Sequence, residues 1–245
     1  MKPSKKKKIP PRIIRFWHRH ETLPQVYREA KEHNTALLSG LEDLYIDDRY
    51  MESFLRKYNP FLFELYRKTR VESTRSNLAR LTLLYEYGGL YMDMSIRLFQ
   101  PLYSILEHDT QVALLRRDDQ PRYAQHPDRA HIAAGIIAAE PRSPFIACAL
   151  SIMVDSLVRG HYNHDIAFAT TKKIYETYTR YLEADVKVPI RFQFLSFKTL
   201  KEKYLTHIRI PGLANSWRAH EANGIYDFEE LKSLQRLYTP LPCTF

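Results

Sequence analysis

Two adjacent glycines, Gly88 and Gly89, place the strongest constraint on how this chain can fold. The 245-residue sequence contains only seven glycines, and two of them stand together between a helix-like segment and a strand-like one. Glycine adopts backbone conformations that other residues avoid, and it allows another backbone to approach closely. The pair therefore predicts a tight turn from helix to strand. A helix cap with no ligand is the simpler interpretation of the glycines alone.

The segment before the glycines has the strongest helical signal in the chain. Ser73 or Thr74 can cap its start, and Gly88 can end it in the left-handed conformation. Its apolar stripe consists of Leu78, Leu81, Leu84 and Tyr85. Asn77 and Arg80 lie on the same face as this stripe, so their polar ends are predicted to point towards the buried side.

Residues 90–98 alternate like a strand and carry Asp93 in an apolar context. A carboxylate without a partner would be costly in such surroundings. We therefore expect an arginine or a metal-bound ligand next to Asp93.

The rest of the chain alternates between strand-like and helix-like segments. Strands are predicted at 12–17, 111–117, 187–197 and, more weakly, 36–40. Helices are predicted at 23–34, around 51–58, after Pro60, and at 143–160 and 163–184; residues 213–226 are expected to form a loop. This alternation predicts an α/β fold with a mostly parallel central sheet flanked by helices. We expect a basic tail at 1–8 and a single domain at 9–245.

The net charge of +9, from 37 Lys and Arg against 28 Asp and Glu, favours contact with polyanions such as phosphorylated substrates, anionic lipid or nucleic acid. Lys5 to Lys8 could contact an anionic membrane surface. No apolar run is long enough to cross a bilayer. Two cysteines suggest no disulfide framework, so we expect a cytoplasmic protein, with peripheral contact at the inner membrane face as an option.

The sequence SNLARLTLLYEYGGLYMDMS, at residues 76–95, resembles the signature of the glycosyltransferases with a DXD sugar-binding region, of the family 32 type. Clostridial glucosylating toxins and bacterial capsule or lipopolysaccharide sugar transferases share this signature. Residues 9–24 resemble the first strand of that family, and residues 45–60 resemble its acidic-turn segment. The resemblance implies a GT-A, Rossmann-like fold, a nucleotide-sugar donor, most simply a UDP-sugar, and a glycan or lipid-linked acceptor. It also implies a divalent metal, Mn²⁺ or Mg²⁺, and retention of the anomeric configuration.

The resemblance also assigns roles to individual residues. Asp93 and Arg80 would be catalytic: Asp93 would contact donor hydroxyls and help to hold the metal, and Arg80 would hold the sugar or the phosphates. Trp17 would stack on the base, although a tryptophan beside a buried strand is as often a core residue. The other expected donor-binding residues are Asn77, Gly89, Tyr91 and, by looser analogy with a C-terminal loop, Asn215, Ser216 and Trp217.

The sequence departs from the family pattern at two positions. Asn77 stands where the family usually has an aspartate that binds the donor sugar, and Ser95 stands where the second aspartate of DXD usually binds the metal. A neutral serine is a weak metal ligand, so Glu221 is expected to supply the missing charge. These departures leave two alternatives to an active transferase: a degenerate homologue that binds without turnover, and a basic nucleic-acid or membrane-surface module. No nucleic-acid-binding motif is present, so we expect no specific nucleic-acid partner.

Overall fold

A computed structural model of the protein describes residues 7–117, 132–159, 169–184, 186, 189–210 and 228–239. Its strands are Arg12–Phe16 (β1), Glu42–Ile46 (β2), Gly89–Met92 (β3), Ile96–Leu98 (β4), Val112–Arg116 (β5), Ile132–Ala139 (β6), Phe192–Ser196 (β7) and Leu205–His207 (β8). Six of them form a central sheet in the order β2-β1-β3-β6-β5-β7. Only β6 is antiparallel to its neighbours in this sheet. The predicted mostly parallel sheet is confirmed, and the carboxyl ends of its five parallel strands share one edge.

Helices cover both faces of the sheet. They are Gln25–Leu37 (α1), Asp48–Tyr58 (α2), Pro60–Lys68 (α3), Glu72–Tyr87 (α4), Pro144–Val158 (α5), Ala169–Glu183 (α6), Phe197–Lys203 (α7) and Phe228–Leu237 (α8). Successive side chains of a strand point to opposite faces. Tyr91 of β3 accordingly packs in one core with residues of α4 and α5, whereas Leu90 and Met92 belong to a second core. The sheet is thus buried on both sides, as a parallel sheet requires.

The break predicted at Pro60 is confirmed. The Asn59 side chain accepts a hydrogen bond from Leu62 N at 3.0 Å, and Pro60 is the first residue of α3. Proline suits the first helical turn because no helical hydrogen bond needs its missing N–H group there. Asp47 caps α2 in the same way, accepting a hydrogen bond from Tyr50 N.

The paired glycines form the predicted tight turn between α4 and β3. Gly88 has φ 61° and ψ −176°, and Gly89 has φ 113°. A Cβ atom on Gly88 would lie 2.5 Å from Pro141 N, and one on Gly89 would lie 2.8 Å from Arg12 O. Gly88 therefore ends the helix with a positive φ, but in an extended conformation that is essentially restricted to glycine rather than in the predicted left-handed helical one.

Two further local predictions were wrong. Residues 36–40 are not a strand: they are the end of α1 and a turn through Gly40, and the neighbouring strand is β2. Helix α4 begins at Glu72, with Val71 at the cap position, so neither Ser73 nor Thr74 caps it. The short apolar run before Gly40 is compatible with either structure, because periodicity cannot separate the end of a helix from a short strand.

The predicted strand at 90–98 is two strands separated by a turn. β3 ends at Met92, and Ile96 N donates to Asp93 O at 3.1 Å. β4 then pairs with β8 in a separate two-stranded antiparallel sheet. Asp93 therefore lies directly beyond the carboxyl end of β3 instead of in the middle of a strand.

The chain contacts the folded body from Lys7 onward, because Lys7 Nζ donates to Tyr103 O at 2.9 Å and Lys8 N donates to His108 O.

Cys148, buried in α5, is disulfide-bonded. Disulfides persist in oxidising compartments, so the cysteines no longer support the expectation of a reducing cytosol. In the described part of the chain, no helix has the length and apolar character of a membrane span.

Candidate active site

The site lies beyond the carboxyl ends of β1 and β3, which are neighbours in the sheet. After β1 the chain continues to β2, which lies on one side of this pair in the sheet. After β3 it continues to β5 and β6, which lie on the other side. Such a point, where the strand order reverses, forms a crevice in which open α/β sheets bind ligands. Trp17 follows β1 here, and Asp93 follows β3.

Arg80 and Asp93 form the ion pair at the centre of the crevice. Arg80 Nη2 donates to Asp93 Oδ1 at 2.8 Å. Arg80 lies seven residues before the end of α4 and Asp93 four residues after Gly89, distances of about 10 Å along a helix and about 13 Å along a strand. The glycine turn folds β3 back along α4, and the two residues lie at similar distances from that turn. Their side chains can therefore meet. The predicted approach of Arg80 to Asp93 is confirmed.

Tyr91 holds the guanidinium of Arg80 in place. The Arg80 Cζ atom lies 4.5 Å from the centre of the Tyr91 ring, and both side chains are buried. Burial alone would lower the pKa of Arg80, but Tyr91 and Asp93 outweigh it and raise that pKa, so Arg80 stays cationic. The Arg80 Nε atom is buried and has no hydrogen-bond partner among the described residues. The pair therefore keeps unused hydrogen-bonding capacity, which is uncommon for a buried polar group.

Gly135 on β6 makes room for the Asp93 carboxylate and was missed by sequence reasoning. Asp93 N donates to Gly135 O at 2.9 Å, and a Cβ atom on Gly135 would lie 2.9 Å from Asp93 Oδ2. The signal was a lone glycine in the apolar run HIAAGIIAAE, because a glycine inside a strand often marks a close approach. Only the fold shows that the approaching group is Asp93.

Trp17 packs beside the site in a small apolar cluster with Tyr27 and Met94. Its ring lies edge-on to the Tyr27 ring at 5.8 Å, and it is only partly buried. Burial, and then the charge of Asp93, raise the pKa of Tyr27, which places Tyr27 within electrostatic reach of the carboxylate. Trp17 is thus near Asp93, with part of its surface exposed to solvent.

The structure does not bring all predicted site residues together. Asn77 is buried one helical turn before Arg80. Gly89 lies at the opposite end of β3 from Asp93, and the group that approaches it is the Arg12 backbone rather than a ligand. The predicted residues Asn215, Ser216, Trp217 and Glu221 lie outside the described residues.

The described residues around Asp93 do not fit a divalent metal ion. Asp93 Oδ1 already accepts the Arg80 hydrogen bond, and the only other predicted ligand in the described part of the chain is the neutral Ser95. No group of three or more His, Cys, Asp or Glu side chains suited to a metal occurs within the described ranges. Hard cations prefer several charged oxygen ligands, and a guanidinium at 2.8 Å from the carboxylate would repel them.

A second cluster of charged groups lines a cavity of about 340 Å³ beyond the ends of β1 and β2. Asp48 is its most buried acid: it accepts a hydrogen bond from Tyr66 Oη at 2.5 Å and pairs with Arg75 at 3.2 Å and His18 at 3.5 Å. Burial raises the pKa of Asp48, but His18 at 3.5 Å, the hydrogen bond from Tyr66 and the charge of Arg75 outweigh it, so the pKa is lowered overall. Sequence reasoning did not find this cavity, because its residues come from three separate segments.

Comparison with known proteins identifies the type of region that carries Arg80 and Asp93. Residues 22–112 match a family model described as the glycosyltransferase sugar-binding region containing the DXD motif. This DXD-type sugar-binding region includes α4, the glycine turn and Asp93, and its match supports sugar transfer in general. The chain also matches an uncharacterized glycosyltransferase of Acanthamoeba polyphaga mimivirus, at 28% identity over 90 residues, which is 36% of this chain and 36% of that protein.

Solved structures that align with most of the chain include two glycosyltransferases. The PaToxG glycosyltransferase superposes with a TM-score of 0.54 at 15% identity, covering 96% of this chain and 89% of that one. A glycosyltransferase involved in the glycosylation of the major capsid of PBCV-1 superposes with a TM-score of 0.46 at 14% identity, covering 92% and 100%. The first likeness confirms the predicted α/β fold as one that a glycosyltransferase also has.

Proposed function

We propose that the protein transfers a sugar from a nucleotide-sugar donor, most simply a UDP-sugar, to a glycan or lipid-linked glycan acceptor. The observation that carries this proposal is the Arg80–Asp93 pair in the crevice beyond β1 and β3, within the DXD-type region. The Asp93 side chain is 35% exposed although Arg80 is buried. A carboxylate held in this way can accept hydrogen bonds from ribose or sugar hydroxyls.

Each side chain has a separate task in this proposal. Asp93 orients the donor through its hydroxyls, and Arg80 fixes the carboxylate and adds positive charge to the site. Trp17, beside Asp93, offers its exposed surface to the base. The bond between the anomeric carbon and the diphosphate oxygen breaks, and its electron pair leaves with the nucleoside diphosphate. The acceptor oxygen bonds to the anomeric carbon and loses its proton to the departing diphosphate, with the retention that the family resemblance implies.

The net charge of +9 favours an anionic acceptor, such as a lipid-linked or phosphate-bearing glycan. A capsule or lipopolysaccharide intermediate at a membrane surface fits this description. Contact with anionic lipid would then keep the enzyme close to its acceptor.

A screen of nucleotide-sugars tests the proposal. UDP-glucose, UDP-galactose, UDP-N-acetylglucosamine and GDP-mannose are each added to the protein, once with Mn²⁺ and once with EDTA, and thermal unfolding is followed. A true donor at about 100 times its Kd stabilises the folded state by about 2.7 kcal/mol, which raises the melting temperature. The same donor is then assayed for hydrolysis and transfer.

Asp93→Asn is the decisive variant, because it keeps the shape of the side chain and removes its charge. We expect donor turnover to fall by about 10² to 10³. Asp109→Asn is the matched control, since Asp109 is exposed and, among the described residues, pairs with Arg191 at 3.4 Å. Equal turnover in the Asp93→Asn variant and the control, or no stabilisation by any donor, would contradict the proposal.

A degenerate homologue that binds a donor without turnover is the second candidate. Asn77 and Ser95, which replace two family aspartates, favour it. Donor-induced stabilisation without hydrolysis or transfer would select this candidate over the active enzyme.

A further inference from the structure

Three cationic residues, Arg117, Lys201 and Arg209, belong to chain segments that meet near His207 and Ser95. Ile208 N donates to Ser95 O at 2.7 Å, so Arg209 directly follows the residue bonded to Ser95. His207 pairs with Ile96 across the β4–β8 sheet. This small sheet therefore attaches the cationic cluster to the turn that carries Asp93.

Phe197 links the other two cations to the same place. Its ring stacks on the His207 ring at 5.9 Å, and the Arg117 Cζ atom lies 5.4 Å from its centre. Phe197 is the first residue of α7, and Lys201 lies four residues later on the same helix face. Arg117 follows β5 directly, so it lies at the same sheet edge as Asp93.

Four charged residues affect the pKa of His207. Burial lowers the pKa of His207; Asp93 opposes this shift, and Arg117, Arg209 and Lys201 add to it. His207 is thus within electrostatic reach of the carboxylate and of all three cations. Among the described residues, three cations and one carboxylate therefore act on His207, whose strand neighbour Ile96 follows Ser95.

We infer that Arg117, Lys201 and Arg209 bind the diphosphate of the donor in place of a divalent metal, so that donor binding and transfer are metal-independent. This inference rests on the proposed function. Arginine and lysine are well suited to phosphate oxygens, and arginine can bind two of them at once. Cations next to the diphosphate also stabilise the charge that develops on it as it leaves. The serine at position 95 is then explained, because no second carboxylate is needed.

The test compares UDP with uridine by isothermal titration calorimetry, in EDTA and in Mn²⁺. The two probes differ by the diphosphate, and GDP with guanosine serves as a second pair. We expect UDP to bind at least about tenfold more tightly than uridine in EDTA, and Mn²⁺ to add little. Arg209→Gln and Lys201→Gln are each expected to weaken UDP binding about tenfold and to leave uridine binding unchanged.

Lys203→Gln is the matched control, because Lys203 is exposed on the same short helix as Lys201. It should leave both affinities unchanged. If UDP binds no better than uridine in EDTA but gains affinity with Mn²⁺, the inference is overturned while the proposed function stands. If no nucleoside diphosphate binds in either buffer, the proposed function fails and the inference fails with it.

Discussion

Two arginine–aspartate pairs, Arg15–Asp43 and Arg80–Asp93, have the same chemistry but differ in how completely their hydrogen bonds are satisfied. Arg15 is 1% exposed, and its guanidinium donates to Asp43 through two nitrogens, to Lys31 O at 3.0 Å and to Thr35 Oγ1 at 2.6 Å. Arg80 uses one nitrogen for Asp93, and its buried Nε has no partner in the described chain. The satisfied pair holds the fold together, whereas the Asp93 carboxylate of the second pair is 35% exposed and can accept hydrogen bonds from a ligand.

The pKa shifts follow the same division. Burial lowers the pKa of Arg15, even though Asp43 opposes the shift. At Arg80 the balance is reversed, because Tyr91 and Asp93 outweigh burial and raise the pKa. Both guanidiniums stay cationic. Arg15 joins α1 to β1 and β2 through its hydrogen bonds, whereas Arg80 lies in the crevice.

The largest expected effect comes from breaking the structural pair. Arg15→Met removes the guanidinium and leaves Asp43 without its partner in a mostly buried site. Removing one member of a buried pair costs about 3 to 5 kcal/mol of unfolding free energy. Urea unfolding measures this loss, and donor affinity of the protein that remains folded should be unchanged. A loss below about 1 kcal/mol would remove the distinction between the two pairs.

A smaller effect is expected from Gly135→Ala, which moves the Asp93 carboxylate without removing it. The new Cβ atom would lie 2.9 Å from Asp93 Oδ2, the end of a side chain that can shift. We expect turnover to fall on the order of tenfold, because small displacements of catalytic groups are costly. The melting temperature should change little.

Gly40→Ala is the contrasting control for that variant. Gly40 has open space around its Cβ position but a φ of +93°, so alanine there strains the backbone without touching the site. It should lower stability by about 1 kcal/mol and leave the turnover number unchanged. Equal turnover in the two alanine variants would show that Gly135 does not position Asp93.

The smallest effect concerns acid stability and extends the comparison to a third acid. Both oxygens of Asp48 have partners, since Tyr66 and His18 approach Oδ1 and Arg75 approaches Oδ2. Its folded pKa is lowered, so its contribution to stability is present above the unfolded pKa of about 4 and is lost as the pH falls through the folded value. We measure the free energy of unfolding in urea at pH 5.5 and at pH 3.5. It should fall more between these two pH values in the wild type than in Asp48→Asn. Equal losses would mean that this carboxylate does not stabilise the fold through its charge.

Local signals predicted much of the fold and the centre of the site. The helix before Gly88, the break at Pro60 and the approach of Arg80 to Asp93 depend on residues close in sequence, whose spacing fixes the geometry. The split of residues 90–98 into β3 and β4 was not predictable in this way, because it depends on pairing with β8 more than 100 residues later. Gly135 and the cationic cluster were missed for the same reason. Such long-range pairing leaves only a weak local trace in the sequence.

Arginine-to-lysine exchange at the two pairs tests the central claim most directly. Lysine keeps the charge but loses the planar group of donors, so Arg80→Lys and Arg15→Lys differ only in which pair is altered. The measurement is the melting temperature of each variant with and without the nucleotide-sugar that stabilises the wild type. We expect Arg80→Lys to keep the wild-type melting temperature within about 2 °C and to lose the donor-induced rise, whereas Arg15→Lys melts at least about 4 °C lower and keeps that rise. A full donor-induced rise in Arg80→Lys would contradict the account.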